Sequence, residues 1–194
     1  EAYAPQQIAV RVRDVGVAKA TAPVLTTLAL AVLAGAFISL GALFYTVTVT
    51  NVAGEPAAPF GLTRLAGGVA FSLGLILVVV GGAELFTGNN LTAMAWAASR
   101  LSSGQVLRNW TLVYLGNLFG ALGTVALVLA AGVHQLGDGA LGETAIRIAR
   151  AKVSLDPVQA LSRGVLCNAL VCLAVWSGMG ARSFTDKILA IGFP

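Results

Sequence analysis

An all-α polytopic membrane protein with a broken second helix is the fold this sequence predicts, and three observations carry the prediction. Of 194 residues, 57% are hydrophobic and 10% charged, with a mean hydropathy of +0.86; soluble domains carry roughly 25% charged residues. Four apolar runs, at residues 23–50, 65–96, 110–133 and 158–181, are each long enough to cross a hydrocarbon core of about 30 Å. The second run is interrupted by Gly81-Gly82-Ala83-Glu84-Leu85-Phe86-Thr87-Gly88-Asn89-Asn90. Adjacent glycines cost backbone entropy, and Thr and Asn side chains compete for backbone partners, so this stretch breaks the helix. Irregular backbone at membrane depth survives only where protein buries it or where it lines a polar cavity, which points to a solute path.

The chain reads as a single membrane domain, residues 1–194. Residues 1–22 carry Arg11, Arg13 and Lys19 with Ile8, Val12 and Val15 at helical spacing, as expected of an amphipathic segment in the headgroup region. The run at 23–50 begins with a proline and holds no charge. Residues 51–64, with Pro56 and Pro59, read as a loop, and residues 99–109 as a short polar connection. The third span starts at Trp110 and Tyr114, residue types that favour the membrane interface. Its Gly116, Gly120 and Gly123 include one small-xxx-small spacing, which lets another helix approach closely. Residues 134–157 form a long polar loop with a short helix at 143–153, and Pro157 precedes the fourth span at a tolerated position.

A fifth run, 188–194, has seven residues and reads as an incomplete span, the mark of a fragment of a longer chain. Placing the N-terminus in the cytoplasm puts Arg11, Arg13, Lys19, Arg100, Arg108, Arg182 and Lys187 inside. Arg64, Arg147, Arg150 and Lys152 then lie outside, an imbalance that supports this orientation. Similar patterns around Gly35 and Gly164 suggest an inverted repeat, as in transporters.

Several chemistries find no foothold. The net charge is +4, but the basic residues are scattered between apolar runs, which argues against a nucleic-acid partner. The single His134 falls in a loop, a surface position. Cys167 and Cys172 share an apolar run and read as core packing. With no His or Cys ligand cluster and no nucleophile–base set, neither an enzyme nor a bound cofactor is expected.

Glu84 is the one acidic residue inside a span, where an ionised side chain costs about 2.5–3.5 kcal/mol. Two roles are open to it: contact with a permeating solute, or acceptance of hydrogen bonds from backbone N–H groups freed by the break. Gly81, Gly82 and Gly88 would permit the break. Thr87, Asn89 and Asn90 can satisfy backbone groups or face the solute. Leu85 and Phe86, apolar and beside a cavity, suit a constriction that closes by excluding water. Asn168, within the fourth span, needs a hydrogen-bond partner.

Two long motifs, 80–89 (VGGAELFTGN) and 164–176 (GVLCNALVCLAVW), together with Gly116-Asn117-Leu118-Phe119-Gly120-Ala121-Leu122, resemble the formate/nitrite transporter family. The resemblance implies an aquaporin-like protomer of six spans, broken at spans two and five and assembled as a homopentamer. Each protomer would hold a path for small monovalent anions such as formate or nitrite, in the bilayer of the bacterial inner membrane. It further implies that Phe71 belongs to a periplasmic constriction and Leu75, Leu85, Phe86 and Val171 to a cytoplasmic one. Thr87 and Asn168 would be polar groups between them, and Lys152 would draw anions from the periplasm. The family's Gly-x-Glu-His pattern lies beyond residue 194, so a protonating histidine is assigned to no residue here. The alternatives are a water or small neutral-solute channel of similar architecture and a non-conducting membrane scaffold.

Overall fold

A computed structural model describes residues 3–51 and 58–192. The expectations for residues 1–2, 52–57 and 193–194 lie outside the described residues. Every element of regular structure among the described residues is helical.

The core is built around α2 (Val24–Val49), which runs between α3 (Phe60–Gly81) and α6 (Ser103–Ala130) and packs along much of both. Small residues set these contacts. A Cβ added to Gly35 would overlap the carbonyl of Asn117, and one added to Gly120 would overlap that of Val32. On the other flank Gly41 meets the backbone of Gly74, with its would-be Cβ 2.8 Å from the Gly74 nitrogen. Backbones therefore touch where side chains would hold the helices apart. Gly123, by contrast, faces open space.

Several boundaries differ from the sequence expectation. The span containing the break begins at Phe60, inside the expected loop, because Pro59 fits the helix start without losing a needed N–H. The third span begins at Ser103, inside the expected polar connection. There the Ser102 hydroxyl accepts from the Gln105 N–H (3.3 Å) and the Gln105 side chain accepts from the Ser102 N–H (2.8 Å), a reciprocal cap. Trp110 thus sits two turns inside the helix and not at its start. The helix expected at 143–153 is α7 (Ala140–Val153), three residues longer. The fourth span, α8 (Pro157–Gly180), is capped by Asp156, whose carboxylate accepts the N–H groups of Val158 and Gln159 at 3.0 Å each. α9 (Phe184–Gly192) starts four residues before the expected fifth run, on a cap formed by Ser183 and Asp186.

The N-terminal helix, α1 (Pro5–Thr21), packs against the bundle, burying Ile8, Val12, Gly16 and Ala20 in contact with α8, α6 and α5 (Thr92–Ala97). Those four residues recur every fourth position and form one stripe. Its start is held by Tyr3, whose N–H donates to the Gly180 carbonyl (3.1 Å) and whose ring lies under both Arg11 and Arg182, each 4.3 Å from its centroid.

His134, expected at the surface, is half-buried in the turn between α6 and α7, and its Nδ1 is buried with no hydrogen-bond partner. Cys167 is exposed, since α8 is covered by little else among the described residues, and Cys172 is half-buried.

The helix contacts predict opposite outcomes for two glycines on one helix. Gly120→Ala should lower stability by about 2 kcal/mol through overpacking against Val32. Gly123→Ala should be neutral or raise stability by up to about 1 kcal/mol, by helix propensity alone. Thermal unfolding of the two variants in detergent checks this.

Candidate functional site

The break is shorter than the sequence suggested. α3 ends at Gly81, and Gly82 turns the chain with a φ of 66°, in the left-handed region that glycine enters without a Cβ clash. Ala83 to Leu85 follow in non-helical conformation, and Phe86 to Asn89 form the one-turn helix α4 before α5 begins at Thr92. Of the three glycines expected to permit the break, only Gly82 has a positive φ. Gly81 is the last residue of α3, and Gly88 lies within α4, where a Cβ would make ordinary contact with Val175 at 3.4 Å.

The freed backbone groups are satisfied by neighbouring helices. The Glu84 N–H donates to the Leu30 carbonyl of α2 (3.1 Å). Asn117, on α6, does three things at once. Its amide donates to the carbonyls of Ala31 and Glu84 at 2.8 Å each, and its oxygen accepts the Phe86 N–H at 2.9 Å. The close approach at Gly35 brings Asn117 within reach. Asn117 thereby does what the Glu84 carboxylate was expected to do, and a neutral amide that both donates and accepts suits a site with two carbonyls and one N–H.

The Glu84 side chain turns instead toward α1. It is 8% exposed and lies 3.2 Å from the Lys19 ammonium, which is 27% exposed. Its other oxygen accepts from the Asn89 amide. Asn89, 1% exposed, also donates to Asn109 (3.0 Å), and its own oxygen accepts from Lys19 (3.0 Å). Asn109 completes the ring by donating to the Lys19 carbonyl (3.2 Å). A buried charge needs such pairing, because desolvation alone costs several kcal/mol. Lys19 was counted among the orientation-setting charges and Asn109 among polar loop residues. Neither carries a local pattern that marks it, since each meets its partners only through the fold.

Two recesses adjoin one apolar cluster, and the break lines the narrower of them. The narrower, about 200 Å³, lies between α1, the break and α8, and is lined by Lys19, Gly88 and Asn89 together with Val78, Leu85 and Val175. The wider, about 360 Å³, opens toward the start of α3 and includes Arg64, Phe71, Leu75, Cys167 and Val171 in its wall. One apolar cluster contributes to both walls: Leu75, Ala174 and Ile191 on the wide side, Val78 and Ala83 on the narrow side, with Leu85, Val171 and Val175 packed against it. The structure therefore brings Phe71, Leu75, Leu85 and Val171 to one apolar wall and its approaches.

It does not bring Phe86 there. Phe86 packs edge-on against Trp110 and Tyr114 of α6, with ring centroids 6.4 and 5.5 Å away, and lines neither recess. Leu85 and Phe86 are adjacent, and on this backbone they face different ways, one to the recess and the other to α6. Thr87 is half-buried; its carbonyl lies 3.5 Å from the Cys172 sulfur, and its hydroxyl makes no hydrogen bond among the described residues. Asn168 accepts from the Asn90 amide at 2.6 Å, tying α8 to the residue after α4. Lys152 is exposed on the last turn of α7, without an ion pair among the described residues. Arg64, given no role from the sequence beyond orientation, lies on the wide recess and donates to the Tyr45 hydroxyl.

The model of a protein family described as formate/nitrite transporter matches residues 6–194. The chain belongs to the formate/nitrite transporter family. Formate channel FocA of Escherichia coli K12 is 42% identical over 190 residues, 98% of this chain and 66% of that protein. Formate channel BtFdhC of Bacillus thuringiensis is 36% identical over 99% of this chain and 73% of its own length. The fold agrees with a solved pentameric formate channel with formate bound, at a TM-score of 0.81 and 43% identity over 88% of this chain and 66% of that one. It also agrees with a solved ion channel of the family, at a TM-score of 0.77 and 26% identity over 97% and 72%. The chain thus spans just under two thirds of the E. coli relative's length. With four helices among the described residues long and apolar enough to cross a bilayer, this family member is a multi-pass membrane protein.

The geometry predicts that Asn117→Leu, similar in size but unable to bond, destabilises the bundle by about 3 kcal/mol or more. It would strand a buried N–H and remove the partner of two carbonyls. Thermal unfolding measures the loss. Amide exchange at Phe86, fast in the variant and slow in the parent, locates it.

Proposed function

We propose that the protein conducts small monovalent anions such as formate or nitrite across the bacterial inner membrane, as a homopentamer with one path in each protomer and the N-terminus in the cytoplasm. The reading rests on family membership and, in the structure, on two recesses with cationic side chains separated by an apolar wall. Cations without an apolar wall would bind anions without filtering them. A wall without cations would not favour anions.

In this reading Lys152 and Arg64 raise the local anion concentration on the α7 side by Coulomb attraction. Phe71 narrows the wide recess, and Leu75, Val171 and Leu85 form the filter, where a permeating group sheds its water. Thr87, whose hydroxyl has no partner among the described residues, and Asn168 supply polar contacts beside the wall. Phe86 supports the filter from behind through its aromatic contacts with α6. Dehydrating an ionised carboxylate is far costlier than dehydrating the neutral acid, so crossing in the protonated form has the lower barrier. A proton-linked mode then follows from the wall itself.

Uptake by liposomes holding the full-length protein tests the assignment. Formate and nitrite should enter and glycerol should not, with formate uptake increasing as external pH falls. Glycerol uptake without either anion would instead establish a neutral-solute channel, and no flux at all a scaffold. Lys152→Ala should slow formate uptake about tenfold at low concentration and low salt, and much less at high ionic strength, where screening already weakens attraction. Leu75→Ala should raise flux and admit glycerol by thinning the wall.

A further inference from the structure

We propose that Arg163 and Arg64 together form a docking site for planar two-oxygen anions, small carboxylates and nitrite, at the rim of the wide recess and ahead of the apolar wall. This rests on the channel reading above and names the residues by which the path recognises its anion.

One face each of α3 and α8 frames the wide recess. Counted from Arg64, the residues 4, 7, 8 and 11 places on are Gly68, Phe71, Ser72 and Leu75, and all of these line the recess together with Arg64. Counted from Arg163, the same steps reach Cys167, Leu170, Val171 and Ala174, and these line it too. At about 100° per residue, each set falls within about 100° of arc, which is one face of a helix. Arg163 therefore heads the recess face of α8 as Arg64 heads that of α3.

The two arginines stand at one level. Leu75 and Ala174 meet in one buried cluster, and each arginine lies 11 residues before its own helix's member of that pair, about 16 Å along the axis. The helices run the same way. Earlier residues of both line the wide recess, whereas Val78 and Val79 of α3 and Val175 and Met179 of α8 line the narrow one. Helical side chains lean toward the helix start, which carries both guanidiniums outward to the rim.

A guanidinium presents its N–H donors in a planar fork that fits the two oxygens of a carboxylate, a match that an ammonium or a spherical halide lacks. Arg64 is held for this by the Tyr45 hydroxyl and the Phe60 ring, whose centroid is 5.1 Å away. Asp156, seven residues before Arg163 on the same face, has its carboxylate engaged by the N–H groups of Val158 and Gln159. An arginine inside an apolar span is costly unless it meets water or a partner, and a place on the recess face provides both.

Formate uptake by liposomes holding the full-length protein, at high ionic strength where long-range attraction is screened, tests the site. Arg163→Met keeps the apolar stem and removes the fork. Its half-saturating formate concentration from the α7 side should rise about tenfold, the loss of one charge-assisted hydrogen bond, with the maximal rate little changed. Arg163→Lys restores the charge but not the fork, so chloride should inhibit formate uptake more strongly than in the parent. Arg64→Met/Arg163→Met should raise the half-saturating concentration by less than the product of the two single effects, because the arginines share one anion. An unchanged half-saturating concentration in Arg163→Met, or single effects that simply multiply, would overturn the proposal. If Arg163→Met does not assemble, Arg163→Lys decides alone, and inhibition by chloride equal to the parent's refutes the site. Absence of anion flux in the parent protein would refute the channel reading instead.

Discussion

A helix broken among apolar helices must return every exposed backbone group to a partner, and in this protein that requirement falls on Asn117. Two carbonyls and one N–H converge on its side chain, and no apolar residue of its size could replace it. Its reach depends on α2 and α6 lying at backbone contact, which depends on Gly35, Gly116 and Gly120. The break, the helix crossing and the recesses beside the break are thus one construction. Moving α6 outward by the width of a methyl group would withdraw Asn117 and leave residues 84–86 with unpaired backbone in an apolar setting.

The polar and apolar parts divide the work. Lys19, Glu84, Asn89 and Asn109 form a closed ring on the α1 side, in which each member bonds at least two others. Such networks fix geometry when complete and are costly when one member is missing. The wall of Leu75, Val78, Leu85, Val171 and Val175 is apolar and held by packing instead of directional bonds. Rigid polar anchoring holds the backbone of the break, while the apolar wall beside it is held by packing alone.

The sequence displayed whatever depends on local pattern. Four spans, the break and its location follow from apolar runs and Gly-Gly, and the observed helices differ from them mainly at their ends. Those ends depended on caps such as Ser102 with Gln105, whose polarity looks like a loop until the reciprocal bonds are seen. Side-chain direction was the less legible part. Leu85 and Phe86 are equally apolar neighbours, and on irregular backbone neither a period of 3.6 nor of 2 says which one faces the recess. The role of Glu84 was half visible: a structural carboxylate was one of two roles open to it, and its partners are the side chains of Lys19 on α1 and Asn89 on α4, not the backbone it interrupts. Asn117 lay inside a motif read for its glycines. Lys19 and Asn109 owe their importance to contacts between distant parts of the chain, which no window of sequence contains.

The two free thiols give the protein built-in reporters. Cys167 is exposed on the wall of the wide recess, while Cys172, five residues along α8, is half-buried against the Thr87 carbonyl at the break. A water-soluble alkylating reagent that enters the wide recess therefore meets one sulfur directly and the other only when the break region parts from α8. The ratio of the two labelling rates reads that parting directly, in the native sequence, without an engineered cysteine or a fluorophore.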